Sequence, residues 1–440
     1  MSSLLIRNGV IVTLNDDNDI IENGNVYIED GLIVEAGTFN GDKYGADRVI
    51  DAAGNIVMPG LINAHHHLYS TFVRGFTPPG DPPGSFMEIL ERLWWKLDTA
   101  LEPEDVYYSA LLAGMHAARA GCTTIIDHHS SPSCVDGSLD LVEKALREIG
   151  LNGCLCYEVS DRKAQGLGIG ENERFIRKCI QSEDGQFAGL FGLHALMTLG
   201  TPTLERCSEA GHSLGSGFHV HVAESEIDVD ITFEKYQRRV MDRFLDFGIP
   251  GPKTVFVHGI HFGAREMDLL KTTDSVLVTN PESNMNNGLG MTPVLELLQR
   301  GVPVGIGTDG MSSHMISQAR ALYLNQRAYR RDPRVAFTES ADILLRNNRV
   351  ICSRVFSEPR GVLGSGYLAD IIIPEYVPFT PVNRSTFYGH LLFGVSFARI
   401  GCTIARGKVV VENGRMTSVN EEEVRAKCVE RAAKVWNRIE

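Results

Sequence analysis

Three consecutive histidines, His65-His66-His67, are the first place in the chain where residue types and spacing could do chemistry. They end an apolar run, residues 55–62, that is typical of a buried strand. Alternate residues of a strand share a face, so we expect His65 and His67 to point one way and His66 the other. A polar loop that is merely rich in histidine is the alternative. Two imidazoles that converge at a strand end form half of a transition-metal site.

The other histidines and several acids lie at the ends of further strand-like runs. Eleven of the fourteen histidines lie in or near predicted strand ends, and only His116, His212 and His390 do not. Histidines scattered over a surface would not cluster in this way. The groups at the later strand ends are Asp127-His128-His129, His194, His221-Val222-Ala223-Glu224, His258 and Gly307-Thr308-Asp309-Gly310.

Such a set of side chains has a definite chemistry. Three neutral imidazoles and one carboxylate bind a divalent metal ion, and the ion lowers the pKa of a bound water from about 16 towards 7. Glu224 begins the loop just beyond His221 and can move protons from that water to a leaving group. His258 can donate a hydrogen bond to a developing oxyanion. Asp309 can both bind the metal and accept a proton from the water.

Structural roles compete for other candidate residues. His219 shares a strand face with the ligand-like histidine two residues later but lies deeper, so we expect a core histidine with satisfied hydrogen bonds. His128 and His129 either support the ligands or fill the mouth of the site. Trp94-Trp95 is more typical of helix packing than of a platform for a substrate.

Eight strand-like runs alternate with stretches of helical periodicity through the middle of the chain. This alternation predicts parallel strands with right-handed crossovers, and eight units suggest a (β/α)₈ TIM barrel, whose active site lies at the C-terminal ends of its strands. An open doubly wound sheet is the alternative. No Gly-x-Gly-x-x-Gly follows the first strand, so nucleotide binding of that type is unsupported. The predicted strands are residues 55–62, 123–127, 151–159, 187–193, 218–222, 254–257, 275–279 and 303–307.

Short strands and turns dominate both ends of the chain. Asp30-Gly31 and Asn413-Gly414 are strong hairpin turns. We therefore expect residues 1–56 and 361–420 to form one small β-sandwich domain, residues 57–360 to form the barrel, and residues 421–440 to form a C-terminal helix. The long connection at residues 72–96 is rich in proline and glycine, and it is either a lid over the barrel mouth or a disordered excursion.

Composition and charge argue against several classes of protein. The chain is 43% hydrophobic and 22% charged, which is typical of a globular protein. Its net charge of −13 disfavours nonspecific binding to nucleic acid or to an anionic membrane, since both are negative. The nine dispersed cysteines suggest reduced thiols. The N-terminal residues lack the pattern of a signal peptide, and no apolar run is long enough to span a membrane. We therefore expect a cytoplasmic protein.

Several motifs together resemble the amidohydrolase superfamily. Within it the chain is most similar to the ATZ/TRZ-type branch of atrazine and triazine hydrolases, S-adenosylhomocysteine and methylthioadenosine deaminases, guanine-type deaminases and SsnA aminohydrolases. The order and spacing of the motifs hold over residues 4–416. The motifs are Pro59-Gly60-Leu61-Ile62-Asn63-Ala64-His65-x-His67, His221-x-Ala223-Glu224, His258-Gly259, Asn280-Pro281-x-Ser283-Asn284 and Gly307-Thr308-Asp309-Gly310.

The resemblance implies roles for particular residues. Glu224 would be the proton shuttle, and His258 would polarise the attacked centre. The carboxylated lysine of binuclear relatives has no counterpart at the end of the fourth strand, where Leu193-His194-Ala195 stands. The implied site holds one divalent metal ion, usually zinc and sometimes iron(II), on His65, His67, His221 and Asp309. The implied contacts to substrate come from His194, Arg162 and Glu91.

These observations predict a metal-dependent deaminase. It would hydrolyse an exocyclic amino group from a nitrogen heterocycle such as a purine, pterin, pyrimidine or triazine, and release ammonia. A dechlorinating or cyclic-amide hydrolase is one alternative, because the same activated water serves all three reactions. A scaffold protein whose site has decayed is a more remote alternative, and the complete set of ligands and acids argues against it. A homodimer or higher homo-oligomer is expected from the family.

Overall fold

The computed structural model describes residues 3–439. Strands from the two ends of the chain pair in one nine-stranded mixed sheet. The strands of this sheet are β1 (Ser3–Val12), β2 (Ile20–Glu29), β3 (Leu32–Gly37), β4 (Arg48–Asp51), β5 (Ile56–Pro59), β15 (Ile371–Pro374), β16 (Ile400–Ala405), β17 (Lys408–Glu412) and β18 (Arg415–Met416). β5 joins the two halves, because it pairs with β1 on one side and with β15 on the other. Apolar residues from both halves, among them Ile6, Val26, Ile371 and Ile404, form the core of this domain.

Parallel strands form a barrel between these two halves, which confirms the predicted (β/α)₈ fold. The strands are β6 (Leu61–His66), β7 (Cys122–His129), β8 (Asn152–Tyr157), β9 (Phe187–Gly189), β10 (Phe191–Leu193), β11 (Phe218–Val222), β12 (Val255–His258), β13 (Val276–Thr279) and β14 (Val304–Ile306). They pair as two runs, β6 to β9 and β10 to β14. Backbone bridges between His66 and Asp309 and between Val159 and Leu193 join the runs at both ends and close the barrel. β9 and β10 together occupy the place of the predicted fourth strand.

The first predicted strand is two strands in the structure. Residues 55–62 contain β5, which belongs to the small sheet, and the beginning of β6, which belongs to the barrel. The chain passes from one to the other at Gly60. A Cβ atom there would lie 2.4 Å from Cγ2 of Thr123, so only glycine fits the close approach to the second barrel strand. Hydrophobicity alone did not reveal this break, because both strands are buried.

Helices cover the outside of the barrel. They are α1 (Phe86–Ile89), α2 (Trp95–Ala100), α3 (Pro103–Arg119), α4 (Ser138–Ile149), α5 (Ile169–Gln181), α6 (Thr201–Ser213), α7 (Glu226–Tyr236), α8 (Val240–Asp246), α9 (Ala264–Thr272), α10 (Pro281–Asn286), α11 (Val294–Gln299), α12 (Met315–Arg330), α13 (Phe337–Asp342), α14 (Asn348–Ser353), α15 (Phe387–Phe393) and α16 (Glu421–Ile439), with π-helical turns at Leu90–Trp94 and Ile343–Asn347. Among residues 3–439, none of the helices has the length and apolar character needed to cross a bilayer.

The last helix, α16, packs on the barrel helix α3 and is held there by a buried arginine. Arg431 is 4% exposed, and its guanidinium contacts Asp105 at 2.6 Å, Glu104 at 2.7 Å and Glu102 at 2.8 Å. Asp105 is fully buried at the start of α3 and also pairs with Arg438. Because an unpaired buried charge is costly, these contacts fix the position of α16.

We expect Arg431→Ala to lower the free energy of unfolding by about 3 kcal/mol, because it leaves the Asp105 carboxylate with one of its two arginines. Urea denaturation followed by circular dichroism measures this change. Lys434→Ala is the control, since Lys434 pairs with Glu430 on the exposed face of the same helix, and exposed pairs contribute little. Equal midpoints for the two variants would contradict a stabilising role for Arg431.

Candidate active site

A cavity lies at the C-terminal ends of the barrel strands, and it brings together residues from most of them. Its floor and walls carry the ligand-like and acidic side chains that the sequence singled out, together with aromatic residues from the long connection after the first strand. The lining residues are His67, Tyr69, Phe86, Leu90, Trp94, Trp95, Asp98, Glu158, His194, His221, Glu224, His258, Ser283, Asn287, Asp309, Gly310 and Met311.

Backbone carbonyls fix the orientation of two histidine rings. Nδ1 of His67 lies 2.6 Å from the carbonyl oxygen of His128, and Nδ1 of His221 lies 3.0 Å from that of His194. A carbonyl can only accept, so each Nδ1 carries the proton and each Nε2 keeps its lone pair. The two Nε2 atoms face each other at 3.2 Å. Two lone pairs at that distance repel each other unless a cation lies between them.

His65 and Asp309 complete a donor set that fits a divalent metal ion. His65 Nε2 is buried and has no hydrogen-bond partner among residues 3–439. Asp309 Oδ1 lies 3.3 Å from Nε2 of His67, and donor atoms of His65, His67 and Asp309 lie within 4.8 Å of one another. Three imidazole nitrogens and one carboxylate are ligands that zinc and iron(II) accept. His65, His67, His221 and Asp309 could therefore hold one metal ion.

Burial and neighbouring groups hold His65, His221 and Asp309 in the protonation states that metal binding requires. Burial, followed by repulsion from neighbouring imidazoles, lowers the pKa of His65 and of His221 well below its usual value. Burial opposes ionisation of Asp309, but His67, His258 and a hydrogen bond of 2.7 Å from the Ser283 hydroxyl outweigh it and lower the pKa of that carboxyl. Neutral imidazoles and an ionised carboxylate are thus available at neutral pH.

Glu224 lies in the turn after β11, where a second buried acid holds the backbone. Ala223 has a φ of 44°, in the left-handed region that alanine rarely adopts. Its N–H donates to Asp228 Oδ2 at 3.0 Å, and Asp228 Oδ1 accepts from the N–H of Met197 at 3.1 Å. The turn directs the Glu224 side chain into the cavity. Burial, and then the negative charge of Asp309, raise the pKa of Glu224 well above its usual value, which suits a group that must deliver protons.

His258 lies between the two acids of the site. Its Nδ1 donates to Asn284 Oδ1 at 2.9 Å, so Nε2 is the atom that takes up or releases a proton. Nε2 is 3.5 Å from Glu224 Oε2 and 3.8 Å from Asp309 Oδ2. Both His258 (φ 76°) and Asp309 (φ 54°) have left-handed backbones, and non-glycine residues in this region are typical of functional sites. The geometry makes His258 a proton acceptor first and a donor once protonated.

His219 is buried as expected, but it also contacts a ligand-like histidine. Its Nε2 lies 2.9 Å from Nδ1 of His65. When His65 Nε2 binds a metal, its Nδ1–H must donate to His219, whose own Nδ1 is 3.6 Å from Sγ of Cys156. The Cys156 thiol in turn donates to the carbonyl of Asp127 at 3.4 Å. His219 therefore orients His65 through a chain of hydrogen bonds.

We expect His219→Phe to weaken zinc affinity by about 10- to 100-fold, because the acceptor that fixes the His65 ring is removed. Competition with a chromogenic chelator measures the affinity. His219→Gln is the matched control, since its side-chain carbonyl can still accept from His65, and it should retain more of the affinity. Equal affinities for the wild type and His219→Phe would exclude this role.

Three further histidines near the strand ends support the site. His66 points away from its neighbours, as expected, and its Nδ1 donates to the carbonyl of Asp309 at 2.6 Å, which ties the first strand to the last. His128 accepts from His67 through its carbonyl, and its ring Nε2 donates to the carbonyls of Leu193 and His219. His129 contacts Ser131 at 2.9 Å and is fully buried.

The three expected substrate contacts have different positions in the structure. His194 lies in the cavity wall. Arg162 is not among the residues that line the cavity; it contacts two that are, Asp98 at 2.9 Å and Glu158 at 2.7 Å. The structure does not bring Glu91 to the cavity, because its side chain is exposed on the π-helical turn. Of the three residues, His194 lines the cavity, whereas Arg162 and Glu91 do not.

Two buried carboxylates that the sequence did not indicate occupy the wall instead. Asp98 and Glu158 line the cavity, and Arg162 lies between them with its guanidinium 5.2 Å from the centre of the Trp95 ring. Burial opposes ionisation of Glu158, but His194, Arg162 and His128, whose Nδ1 lies 3.4 Å from Glu158 Oε2, outweigh it and hold its pKa well below the usual value. The available signal was the position of Glu158 near the end of the predicted third strand, residues 151–159.

The segment at residues 72–96 covers part of the cavity. Phe86, Leu90, Trp94 and Trp95 from this segment and its end line the cavity, so the two tryptophans face the site rather than only packing between helices. The indole N–H of Trp436 on α16 donates to the carbonyl of Phe72 at 2.6 Å. The C-terminal helix thus holds one end of the segment, which is helical over Phe86–Ala100.

Comparison with known proteins agrees with the family resemblance found in the sequence. A family profile described as the Amidohydrolase family matches residues 56–410. A 5-methylthioadenosine/S-adenosylhomocysteine deaminase from Syntrophomonas wolfei is 30% identical, over 98% of this chain and 99% of its own. A 5'-deoxyadenosine deaminase from Methanosarcina acetivorans is 29% identical, over 96% of both chains.

A solved structure shows the same fold over the whole chain. It is described as an adenosine deaminase from Xanthomonas campestris with bound zinc, and it matches with a TM-score of 0.86 over 100% of this chain and 98% of its own. The two sequences are 20% identical, so this likeness concerns the fold.

Proposed function

The chain belongs to the amidohydrolase family, and we propose that it is a metal-dependent deaminase that removes an amino group from a nitrogen heterocycle. The reaction is hydrolysis of a carbon–nitrogen bond that is not a peptide bond. The observation that carries this proposal is the convergence of bare imidazole nitrogens with Asp309, beside a carboxyl group, Glu224, whose pKa is raised. The names of the relatives, which are deaminases of adenine-containing nucleosides, support a small heterocyclic substrate.

We infer that the site holds one zinc ion on His65, His67, His221 and Asp309, with iron(II) as the alternative. When bound, the ion activates water at neutral pH and so supplies the nucleophile. The pairs that orient the ligands, His67 with the carbonyl of His128 and His65 with His219, fix which nitrogen of each ring is free. The solved relative with bound zinc supports this choice.

The side chains of the site move the protons of the reaction. The oxygen of water bonds to the ring carbon that carries the amino group, and His258 and Asp309 are placed to take the proton that this water loses. Glu224 gives its proton to the neighbouring ring nitrogen, receives the water proton from His258 and passes it to the amino group. As the bond to the amino group breaks, the proton of the new hydroxyl group returns to Glu224. The carbon–nitrogen bond breaks and ammonia leaves. The short distances from His258 Nε2 to both acids allow these transfers.

An assay of leaving groups tests the proposal. Zinc-loaded protein is incubated with aminopurines, aminopterins, aminopyrimidines, nucleosides and aminotriazines, and ammonia is measured. We expect ammonia from at least one ring. Chloride release from a chlorotriazine, or ring opening of a cyclic amide, without ammonia from any member of the panel would replace deamination by one of these alternatives. Metal far below one equivalent after careful loading would favour a decayed site.

We further infer a cytoplasmic homo-oligomer. The nine cysteines are free thiols in the structure, which supports a reducing compartment. Exposed aromatic residues such as Phe379 (87% exposed) and Phe397 (70%) support an interface between subunits. Sedimentation velocity of the zinc-loaded protein tests the oligomeric state.

A further inference from the structure

One wall of the cavity offers hydrogen-bond acceptors whose capacity is only partly filled by donors of the protein, which are Arg162 on both carboxylates and His128 Nδ1 at 3.4 Å from Glu158 Oε2. Glu158 contributes a carboxylate that is 5% exposed, and Asp98 Oδ1 is buried without a hydrogen-bond partner among residues 3–439. Arg162 fills some of their capacity, with one nitrogen on each carboxylate. Each carboxylate can accept about four hydrogen bonds, so both retain free lone pairs on this wall.

The hydrogen bonds of His194 make its cavity-facing nitrogen an acceptor too. Nδ1 of His194 is 2.7 Å from the hydroxyl of Thr198, and that hydroxyl is 3.0 Å from the carbonyl of Ala195. The hydroxyl has one proton and the carbonyl can only accept. Both contacts are satisfied only when Thr198 donates to Ala195 and His194 Nδ1–H donates to Thr198. His194 Nε2 is then bare, 4.0 Å from Glu158 Oε1.

This wall lies on the other side of His221 from the proton-transfer residues. His194 directly follows β10 and His258 ends β12, and these strands flank β11, which carries His221. The His221 ring centre is 5.8 Å from that of His194 and 5.6 Å from that of His258. A planar ring whose attacked carbon lies near His221 therefore has one flank at Glu224 and the other at Glu158.

The two flanks require different groups on the substrate. Glu224 has to give a proton to a ring nitrogen, so that nitrogen has a lone pair. Glu158 and His194 can only accept, so an atom on the opposite flank has to donate. A ring nitrogen with a lone pair there would face two acceptors, which leaves polar groups unpaired and costs binding free energy.

A second metal site is the other arrangement that these residues could form, since donor atoms of Glu158, His194 and His221 lie within 4.8 Å of one another. However, His221 Nδ1 donates to a carbonyl and its Nε2 faces His67. Neither nitrogen is free for another ion. The free acceptors can therefore bind hydrogen-bond donors of a substrate.

We propose that Glu158, together with His194, selects heterocycles in which the carbon that carries the amino group is flanked by a ring N–H. This inference rests on the proposed deaminase function and narrows its substrate class. It favours rings of the 2-amino-4-oxo type, in which that carbon lies between an N–H and a bare nitrogen, over adenine-like rings. Arg162 holds Glu158 in place and is a positioning residue.

Binding of matched purines tests the inference without turnover. Guanine carries the ring N–H beside its amino-bearing carbon, 1-methylguanine has it methylated, and adenine lacks it. Titration calorimetry on zinc-loaded Glu224→Gln protein gives the three affinities. We expect guanine to bind at least 10-fold more tightly than 1-methylguanine or adenine, because a hydrogen bond to a charged acceptor is lost in the other two.

Variants separate recognition from folding. Adding Glu158→Gln should weaken guanine binding by about 10- to 100-fold and change 1-methylguanine binding by less than about threefold. Glu171→Gln is the matched control, because Glu171 is a buried acid paired with Arg174 outside the cavity, and it should alter neither affinity. If Glu158→Gln does not fold, the comparison of ligands on the parent protein still decides.

Several results would overturn the inference. Equal affinities for guanine and 1-methylguanine, or tighter binding of adenine, would do so. If Glu158→Gln weakens the binding of all three ligands equally, Glu158 has a structural role only. If the parent protein binds a second equivalent of zinc and Glu158→Gln does not, Glu158 is a metal ligand. Ammonia release from adenine-type rings alone would overturn this inference and retain the deaminase. If the three purines bind in the expected order but no ring releases ammonia, the inferred recognition by Glu158 is retained and the deaminase activity is overturned.

Discussion

Replacing Glu224 by Gln should lower kcat by about 10³-fold while leaving one equivalent of zinc bound. The amide has the size of the carboxyl group but cannot give a proton to the ring nitrogen or to the leaving amine, and general acid–base groups contribute about 10²- to 10⁴-fold. Glu224 is not among the inferred ligands, so the metal content should not change. Initial rates of ammonia release and elemental analysis of the same preparation measure the two quantities.

Glu226→Gln is the matched control for this change. Glu226 lies two residues further along the chain, its side chain is 81% exposed, and it contacts only His261, at 3.9 Å, among the ion pairs of residues 3–439. The same loss of charge there should leave kcat unchanged. Activity of Glu224→Gln within about threefold of the wild type would remove Glu224 from the role of proton shuttle.

The second large effect is expected from His221→Ala, which should abolish metal binding and activity together. His221 supplies the Nε2 that faces His67 at 3.2 Å, and its loss leaves three of the four inferred ligands. Bound metal also stabilises the folded state. The wild type should therefore melt at a lower temperature after treatment with a chelator, whereas the variant should melt at the same temperature with and without it.

His212→Ala provides the comparison for this variant. His212 is an exposed histidine on α6 that contacts Ser208, and it should keep full metal content and the response to chelator. Elemental analysis and thermal unfolding are carried out on both variants. One equivalent of metal retained by His221→Ala after dialysis would contradict the proposed ligand set.

The barrel and the main residues of the site could be predicted from the sequence because they follow local rules. Strands alternate with helices, and the C-terminal ends of parallel strands meet at one face of a barrel. His65, His221 and Asp309 could therefore be expected around one cavity although they are far apart in the chain. Alternation along the first strand also gave the opposite orientations of His65 and His66.

The supporting contacts could not be predicted, because they depend on which atoms meet across the barrel. His219 was expected to be an ordinary core residue, and only the folded structure places its Nε2 beside Nδ1 of His65. Ser283 and Asn284 were noticed as part of a family motif without a role. In the structure the first contacts Asp309 and the second contacts His258.

The substrate side of the cavity was the least predictable part for a related reason. The helical stretch after residue 85 changes from α-helix to π-helix and back, so helical periodicity does not tell which of Glu91 and Asp98 faces the cavity. The structure leaves Glu91 exposed and buries Asp98. Arg162 is likewise held by two carboxylates, and one of them, Asp98, comes from a distant segment of the chain.

Turnover in ¹⁸O-labelled water tests the central claim most directly, because it follows the attacking oxygen and the leaving group together. With the best substrate of the panel, we predict one ammonia and one ¹⁸O atom in the product for every turnover, measured by mass spectrometry, and about 10³-fold slower formation of both by Glu224→Gln. A product without the label, or one formed with release of chloride or opening of the ring in place of ammonia, would contradict hydrolytic deamination by this site.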